Sequence, residues 1–335
     1  MTTQAQGNTA QIDWYLDDGV NIPMLNDILR NRFYDNILST DLAGADCVDI
    51  GFGTGLLSML ALKHGASHVV AFEQDLNRYQ LGQAIIQELG LQNQIELHHG
   101  RFSHEQLADH ANQVIITETV NHTIFQEGLW HILPRAAGRD FRPGQYFLNL
   151  HVIPISREVG QLLGATAEDP KPFCPGVPVR SDFVTAVNRY RNSGCSPESV
   201  PVVPVDLVPG INHFDHRTDT VWNWTPHMLL ARETEAAAGF VINAELATTS
   251  VWNSTDLVQQ PIDFDTQTVS LTVPLQHYPG DTFLVVPRFG LKHGDHQLLL
   301  DTGHWGPTPA VILHQCRGRL VVEQNIFSGD IAYHV

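Results

Sequence analysis

The sequence predicts an α/β fold in two parts, a parallel sheet flanked by helices and then a mainly antiparallel sandwich or barrel. Three observations lead there. Before about residue 147, helix-like and strand-like segments alternate, the pattern of a parallel sheet covered by helices. Beyond it the helical period fades, and short β-rich runs punctuated by Pro and Gly replace it. The length, 335 residues, suits two domains, taken here as 1–147 and 148–335.

Each element follows from its own pattern. Leu25, Ile28, Leu29, Phe33 and Ile37 recur at helical spacing, so a helix with an apolar stripe is expected over 25–38. ADCVDI (45–50) is a short apolar strand, and GLLSMLALKHG (55–65) a helix closing on Gly65. SHVVAF (67–72) is the second strand, and LNRYQLGQAIIQELG (76–90) a helix ending on Gly90. IELHHG (95–100) and NQVIITET (112–119) are further strands. Downstream, FLNLHVIPISREV, GFVINAELATTSVW, TVSLTVPL, TFLVVPRFGL, PAVILHQ and RLVVEQNIF are the β-rich runs. Residues 165–215, which contain SPESVPVVPVDLVPG, are expected to form an irregular Pro-rich excursion from the β domain.

Composition removes several classes of function. A hydrophobic share of 43% is ordinary for a globular chain. Nothing approaches ~18 consecutive apolar residues, so no transmembrane helix and no membrane partner are expected. The opening MTTQAQGNTAQI lacks the basic and apolar regions of a secretory leader, and a soluble, cytoplasmic protein is expected. With 19 Lys+Arg against 36 Asp+Glu, a formal charge of −17, the chain is ill suited to neutralising nucleic-acid phosphates. A cationic partner suits it better. Cys47, Cys174, Cys195 and Cys316 are far apart and form no CxxC, so buried thiols are expected. His213–His216 and His293–His296 are H-x-x-H pairs outside the H-E-x-x-H pattern, and no metal is expected.

The sharpest local signal is Val48-Asp49-Ile50-Gly51-Phe52-Gly53-Thr54-Gly55, which follows a strand and opens a helix. Glycines at such a turn let backbone approach a ligand. No Gly-Lys-Ser/Thr is present, so this is not a P-loop, and the spacing is tighter than that of dinucleotide binders. Glu73 ends the next strand, where a carboxylate can accept both hydroxyls of a ribose. Asp49, then Gly51, Gly53, Thr54 and Gly55, then Glu73 together resemble the methyltransferase form of this Rossmann-like fold, whose cofactor is S-adenosylmethionine. The methionine end of that cofactor needs a cation, and Arg30 is the candidate, although an arginine on a helix is more often a surface residue.

Glu118 sits at the carboxyl end of VIIT and Glu127 follows in the next loop. Two carboxylates returning to one pocket can clamp a planar guanidinium. In register, this stretch resembles the double-glutamate loop of the protein arginine methyltransferase family. The resemblance extends upstream, where Met24-Leu25-Asn26-Asp27-Ile28-Leu29-Arg30 is similar to the family's M-L-x-D-x-x-R helix, with Tyr34 after it. Tyr15 falls on the second tyrosine of the N-terminal Y-x-x-Y motif, and Gly303-His304-Trp305 resembles the Thr-His-Trp loop. The likeness spans about residues 11 to 320.

The resemblance implies a class I methyltransferase domain followed by a β-barrel. It implies that Arg30 binds the methionine carboxylate, Glu73 the ribose, and Glu118 and Glu127 the substrate guanidinium. His304 and Asp27 would form the family's proton-handling pair, Trp305 and Val120 would border the acceptor, and Tyr15 and Met24 would crowd the transfer side. Ser103 stands near the position where the family often has an acid for the adenine. Departures are Gln11 for the first tyrosine, Thr-Val-Asn-His after Glu118, and Gly303 for the threonine of Thr-His-Trp. Residues 165–215 do not resemble the family's helical dimerisation arm, so a homodimer is an expectation from the family alone. The expected activity is methyl transfer to arginine in a protein or peptide. Free arginine or another small guanidino or amine acceptor, an O-methyltransferase, and an inactive arginine-binding module remain the alternatives.

Overall fold

The structure is a computed structural model. It describes residues 24–103, 105–106, 110, 113–120, 124–125, 127–133, 137–155, 157, 160–161, 177–178, 236–246, 248–253, 256–261, 268–300 and 310–335. Its elements, in chain order, are α1 (Ile28–Leu38), β1 (Asp46–Ile50), α2 (Leu56–Lys63), β2 (His68–Glu73), α3 (Leu76–Glu88), β3 (Ile95–His99), β4 (Val114–Thr117) and β5 (Phe141–Arg142). The second half holds β6 (Gln145–Pro154), β7 (Val177–Pro178), β8 (Ala238–Asn243), β9 (Thr248–Asn253), β10 (Asp256–Pro261), β11 (Thr268–Pro274), β12 (Phe283–His293), β13 (His296–Leu299), β14 (Val311–Leu313), β15 (Arg319–Asn325) and β16 (Ile331–His334).

The first helix starts later than its apolar spacing suggests. Asp27 caps it, with Oδ1 accepting from the Arg30 N–H at 3.0 Å. Its face also differs from the expected stripe. Arg30, Phe33, Tyr34, Ile37 and Leu38 turn inward, while Leu25, Ile28 and Leu29 face out, Ile28 at 63% exposure. Polar anchors decide this: the buried Tyr34 hydroxyl donates to the Thr117 carbonyl at 3.0 Å, fixing which side meets the sheet. At the other end, Arg142 donates to the Ile37 and Thr40 carbonyls at 2.9 and 2.6 Å, a cation where the helix dipole is negative.

β1 to β5 form a parallel sheet in the order β3-β2-β1-β4-β5. Order reverses between β1 and β4, and the crevice beyond the carboxyl ends at such a switch point is where open α/β sheets bind ligands. β1 ends at Ile50, directly before the glycine turn, and β4 ends at Thr117, directly before Glu118. The topology therefore delivers both motifs to one crevice.

The chain changes sheet between Arg142 and Gln145, just ahead of the expected boundary at 147. Eight strands then pair antiparallel in the order β10-β9-β8-β6-β12-β14-β7, with β13 beside β12, and β11-β15-β16 form a second sheet. The smaller sheet packs on β8 and β9 through β11, and α1 meets β13, tying the two halves together. The run GFVINAELATTSVW divides at a turn over 244–246 into β8 and β9. Of the Pro-rich stretch 165–215, only Val177–Pro178 lies among the described residues, paired with β14. Cys47 and Cys316 are buried free thiols; Cys174 and Cys195 lie outside the described residues. Among the described residues no helix is long and apolar enough to cross a membrane.

Candidate active site

The floor of the crevice is the glycine turn. Gly51, Gly53 and Gly55 have φ of 91°, 54° and 78°, a region in which side chains with a Cβ are strained. The Gly51 and Phe52 N–H groups both donate to the Phe72 carbonyl, at 3.0 and 2.9 Å, binding the turn to the end of β2. Glu73 is buried and oriented by backbone: Gly53 N–H donates to Oε2 and Asp75 N–H to Oε1, each at 2.9 Å. At Gly53 the nearest atom to the place of a Cβ is the Gly51 carbonyl oxygen, 4.0 Å away, so a ligand can reach the main chain. Thr54 beside it is half-buried.

Two buried groups brace this floor from within. The Phe52 ring fills the space left by two glycines: a Cβ at Gly55 would stand 2.5 Å from it and one at Gly82 2.7 Å. Asp49, fully buried on β1, accepts from Ser58 Oγ at 2.6 Å through Oδ2, while its Oδ1 has no hydrogen-bond partner among the described residues. Burial raises this carboxyl to about 7.

Arg30 forms the wall. It is buried, unlike most arginines on helices. Nη2 makes an ion pair with Glu118, both side chains being 5% exposed, and Nη1 donates to Asn31 Oδ1 at 3.0 Å. Nε is buried with no hydrogen-bond partner among the described residues, and the guanidinium carbon lies 5.6 Å from the centre of the Tyr34 ring. Burial, the largest influence, lowers the pKa of this guanidinium, but the Glu118 carboxylate together with Tyr34 and Asp27 outweighs it and the net shift is upward.

Glu127 completes the acidic side. It keeps access to solvent while protein crowds around it, and that crowding, reinforced by the negative charge of Glu118, raises its carboxyl to about 7 against an opposing pull from Arg78. The link from Glu118 to the floor runs through threonines. Thr117 Oγ1 donates to the Ile50 carbonyl at 3.1 Å and lies 2.9 Å from Thr119 Oγ1, and the Thr119 methyl stands 3.0 Å from the place of a Gly51 Cβ.

The structure thus gathers Arg30, Asp49, Gly51, Gly53, Thr54, Gly55, Glu73, Glu118 and Glu127 around one crevice. Asp27 spends one oxygen on capping α1. Met24 is half-buried, its carbonyl accepting from Asp27 N–H at 3.2 Å, and the N–H of half-buried Ser103 donates to Gln106 Oε1 at 2.7 Å. Val120 is 2% exposed and packs into the core. Tyr15, His304 and Trp305 lie outside the described residues. Sequence inspection missed Ser58, Phe52, Thr117 and Thr119 as supports. Only Ser58, a lone polar residue on the apolar run of α2, carried a signal that could have revealed it. His293, one of the H-x-x-H residues, accepts from Gly144 N–H at 3.3 Å through Nδ1. No group of three or more His, Cys, Asp or Glu among the described residues is placed to hold a metal.

No family model matches the chain. Protein arginine N-methyltransferase 9 of Xenopus laevis is 31% identical over 140 residues, covering 40% of this chain and 17% of that protein. Its Mus musculus counterpart is 32% identical over 130 residues, covering 37% and 15%. Protein arginine N-methyltransferase 1 of Chlamydomonas reinhardtii is 30% identical over 146 residues, covering 42% of each chain. The chain therefore spans less than half the length of these relatives. Among solved structures, a crystal structure of PRMT6 superposes with a TM-score of 0.53 at 18% identity, covering 96% of this chain and 100% of that one. A PRMT6–SAH structure gives 0.52 at 16% identity over 93% and 97%. Those identities speak to fold: a Rossmann-like methyltransferase domain followed by a β-rich domain. Local sequence likeness and shared architecture point the same way: part of the chain is similar in sequence to protein arginine N-methyltransferases, and the fold is the one their solved structures show.

Proposed function

We propose that this chain is an S-adenosylmethionine-dependent N-methyltransferase acting on a guanidino nitrogen of arginine in a peptide or protein. The observation that carries the proposal is the buried Arg30–Glu118 pair, with Glu127 close enough to feel the Glu118 charge, at the switch point of a methyltransferase sheet. The residues present fit the cofactor. Among the described residues Arg30 has a buried Nε with no partner, which it can offer to a carboxylate, Glu73 is oriented for a diol, and no side chain crowds the Cβ position of Gly53. When bound, the cofactor supplies an electrophilic methyl on a sulfonium. Glu118 and Glu127 hold the acceptor guanidinium so that one nitrogen directs electron density at that methyl. The sulfonium would give up its methyl and leave as a thioether, and the acceptor nitrogen held by the two glutamates would shed a proton.

Alignment dominates such a reaction, because the guanidinium is positioned rather than activated by a strong base. Asp27, anchored at the start of α1, and His304 are the pair to which the family likeness assigns the departing proton. The charge of −17 favours a cationic acceptor. Mass spectrometry after incubation with S-adenosylmethionine tests the proposal, using free arginine, Arg-Gly-rich peptides, a folded basic protein and a lysine-only control. A gain of ~14 Da localised to a peptide guanidine is the expected outcome (one CH₂ per transfer). Methylation of free arginine alone would move the acceptor to small metabolites. Cofactor binding without transfer to any cation would favour an arginine-binding module.

A further inference from the structure

We propose that Arg30 couples cofactor and acceptor binding, because one guanidinium is shared between Glu118 and the carboxylate end of the cofactor. This rests on the function proposed above. Arg30 is already heavily subscribed: Nη2 is paired with Glu118, Nη1 is bound to Asn31, and the charges of Asp27 and Asp49 also lie within its field. A guanidinium carries five N–H donors, and the buried Nε has no hydrogen-bond partner among the described residues, so a ligand carboxylate can join Glu118 on the same group. Charge is another matter. One positive charge then serves two carboxylates directly, in a place where burial makes an undercompensated charge costly.

Glu118 is the carboxylate whose paired cation is then shared. With Glu127 next to it, the acidic side of the site gains affinity for a cation once Arg30 is divided, and the cation it is shaped for is the acceptor guanidinium. The coupling must be reciprocal, since linkage makes each ligand raise the affinity of the other by the same factor. It also depends on one chemical feature, the ligand carboxylate. S-adenosylhomocysteine has that carboxylate; 5′-methylthioadenosine shares the nucleoside and thioether but lacks it.

Calorimetric binding of these two nucleosides to the wild type and to E118Q tests the coupling without turnover. E118Q leaves Arg30 undivided, so S-adenosylhomocysteine should bind about tenfold tighter than to the wild type, a mid-range coupling. Methylthioadenosine should bind both proteins alike. On the wild type, saturating S-adenosylhomocysteine should tighten an Arg-Gly-rich peptide about tenfold, and methylthioadenosine should not. Should E118Q fail to fold, the wild-type peptide arm decides alone. Equal or weaker S-adenosylhomocysteine binding to E118Q, or the same peptide affinity with either nucleoside, overturns the coupling and leaves the methyltransferase proposal intact. Failure of the wild type to bind S-adenosylhomocysteine at all overturns both.

Discussion

In the parallel-sheet half, most buried polar side chains among the described residues converge: Asp27, Arg30, Asp49, Ser58, Glu73 and Thr117 lie within or just below one crevice, several bonding to each other or to strand ends, while Arg142 alone holds the far end of α1. In the antiparallel half, the buried polar residues His151, Thr249, Thr282, Arg288 and Gln324 are dispersed over several segments. Glycine shows the same contrast. Around β1 it opens backbone to a ligand at Gly53, whereas on β12 Gly290 makes room for the Phe147 ring from β6. One half stores electrostatic cost at a site; the other spends its sequence on packing. A buried charge without full compensation is destabilising, so its concentration in one place marks where a ligand is meant to share it.

The most forceful way to break this comparison is to neutralise the clamp. Glu127→Gln should lower kcat/KM for an arginine peptide by about 10²–10³, the scale of losing one preorganised electrostatic contact, while thermal melting stays near wild type. A comparable loss of Tm would mean that Glu127 belongs to the packing. Next in size, Gly290→Ala puts a methyl 2.1 Å from the Phe147 ring and 2.7 Å from the Leu298 carbonyl. Overpacking of this kind should cost about 1–3 kcal/mol in denaturant unfolding, with S-adenosylhomocysteine affinity unchanged in the folded protein. Gly53→Ala is its mirror. It meets no packing but strains a φ of 54°, costing about 1–2 kcal/mol, and crowds the open approach, so nucleoside affinity should fall even where the fold survives.

The acidity of Glu127 sharpens the comparison further. Its carboxyl, raised to about 7, must be ionised to hold a cation, so kcat/KM should decline as pH falls through about 7. The pH–rate profile checks this, and an acid limb that stays near 4.5 would exclude Glu127 from the clamp. The smallest effect belongs to the surface, where Lys63 and His64 bond Asp35 at 2.6 and 2.7 Å between α2 and α1. Those contacts hold the Asp35 carboxyl below its usual range, so their stabilisation is present above the unfolded-state value and disappears as pH drops below it. Because the pair is exposed, Asp35→Asn should cost less than about 1 kcal/mol at pH 7 in the same denaturant assay.

Much of the site was legible because its motifs are local. The glycine turn, Glu73 at a strand end, and the two glutamates after β4 each announce themselves within a dozen residues, and alternation of strand and helix predicts that they meet. The stripe on α1 was misjudged for a physical reason: apolar spacing records what could be buried, while the hydrogen bonds of Asp27 and Tyr34 set what is. The same holds for Phe52, whose socket depends on Gly82 in a different helix.

By itself, the sequence determined the order of elements, the change from parallel to antiparallel sheet, and which residue types could bind a nucleoside and a guanidinium. Backbone geometry, hydrophobic period and turn chemistry act over short range, so they can be read along the chain. Tertiary structure alone decided that Arg30 is buried, that it faces Glu118, and that Asp49 and Glu127 have carboxyls raised to about 7. Those properties come from desolvation and from charges brought together across long stretches of chain. They exist only once the fold has gathered protein and charge around these groups.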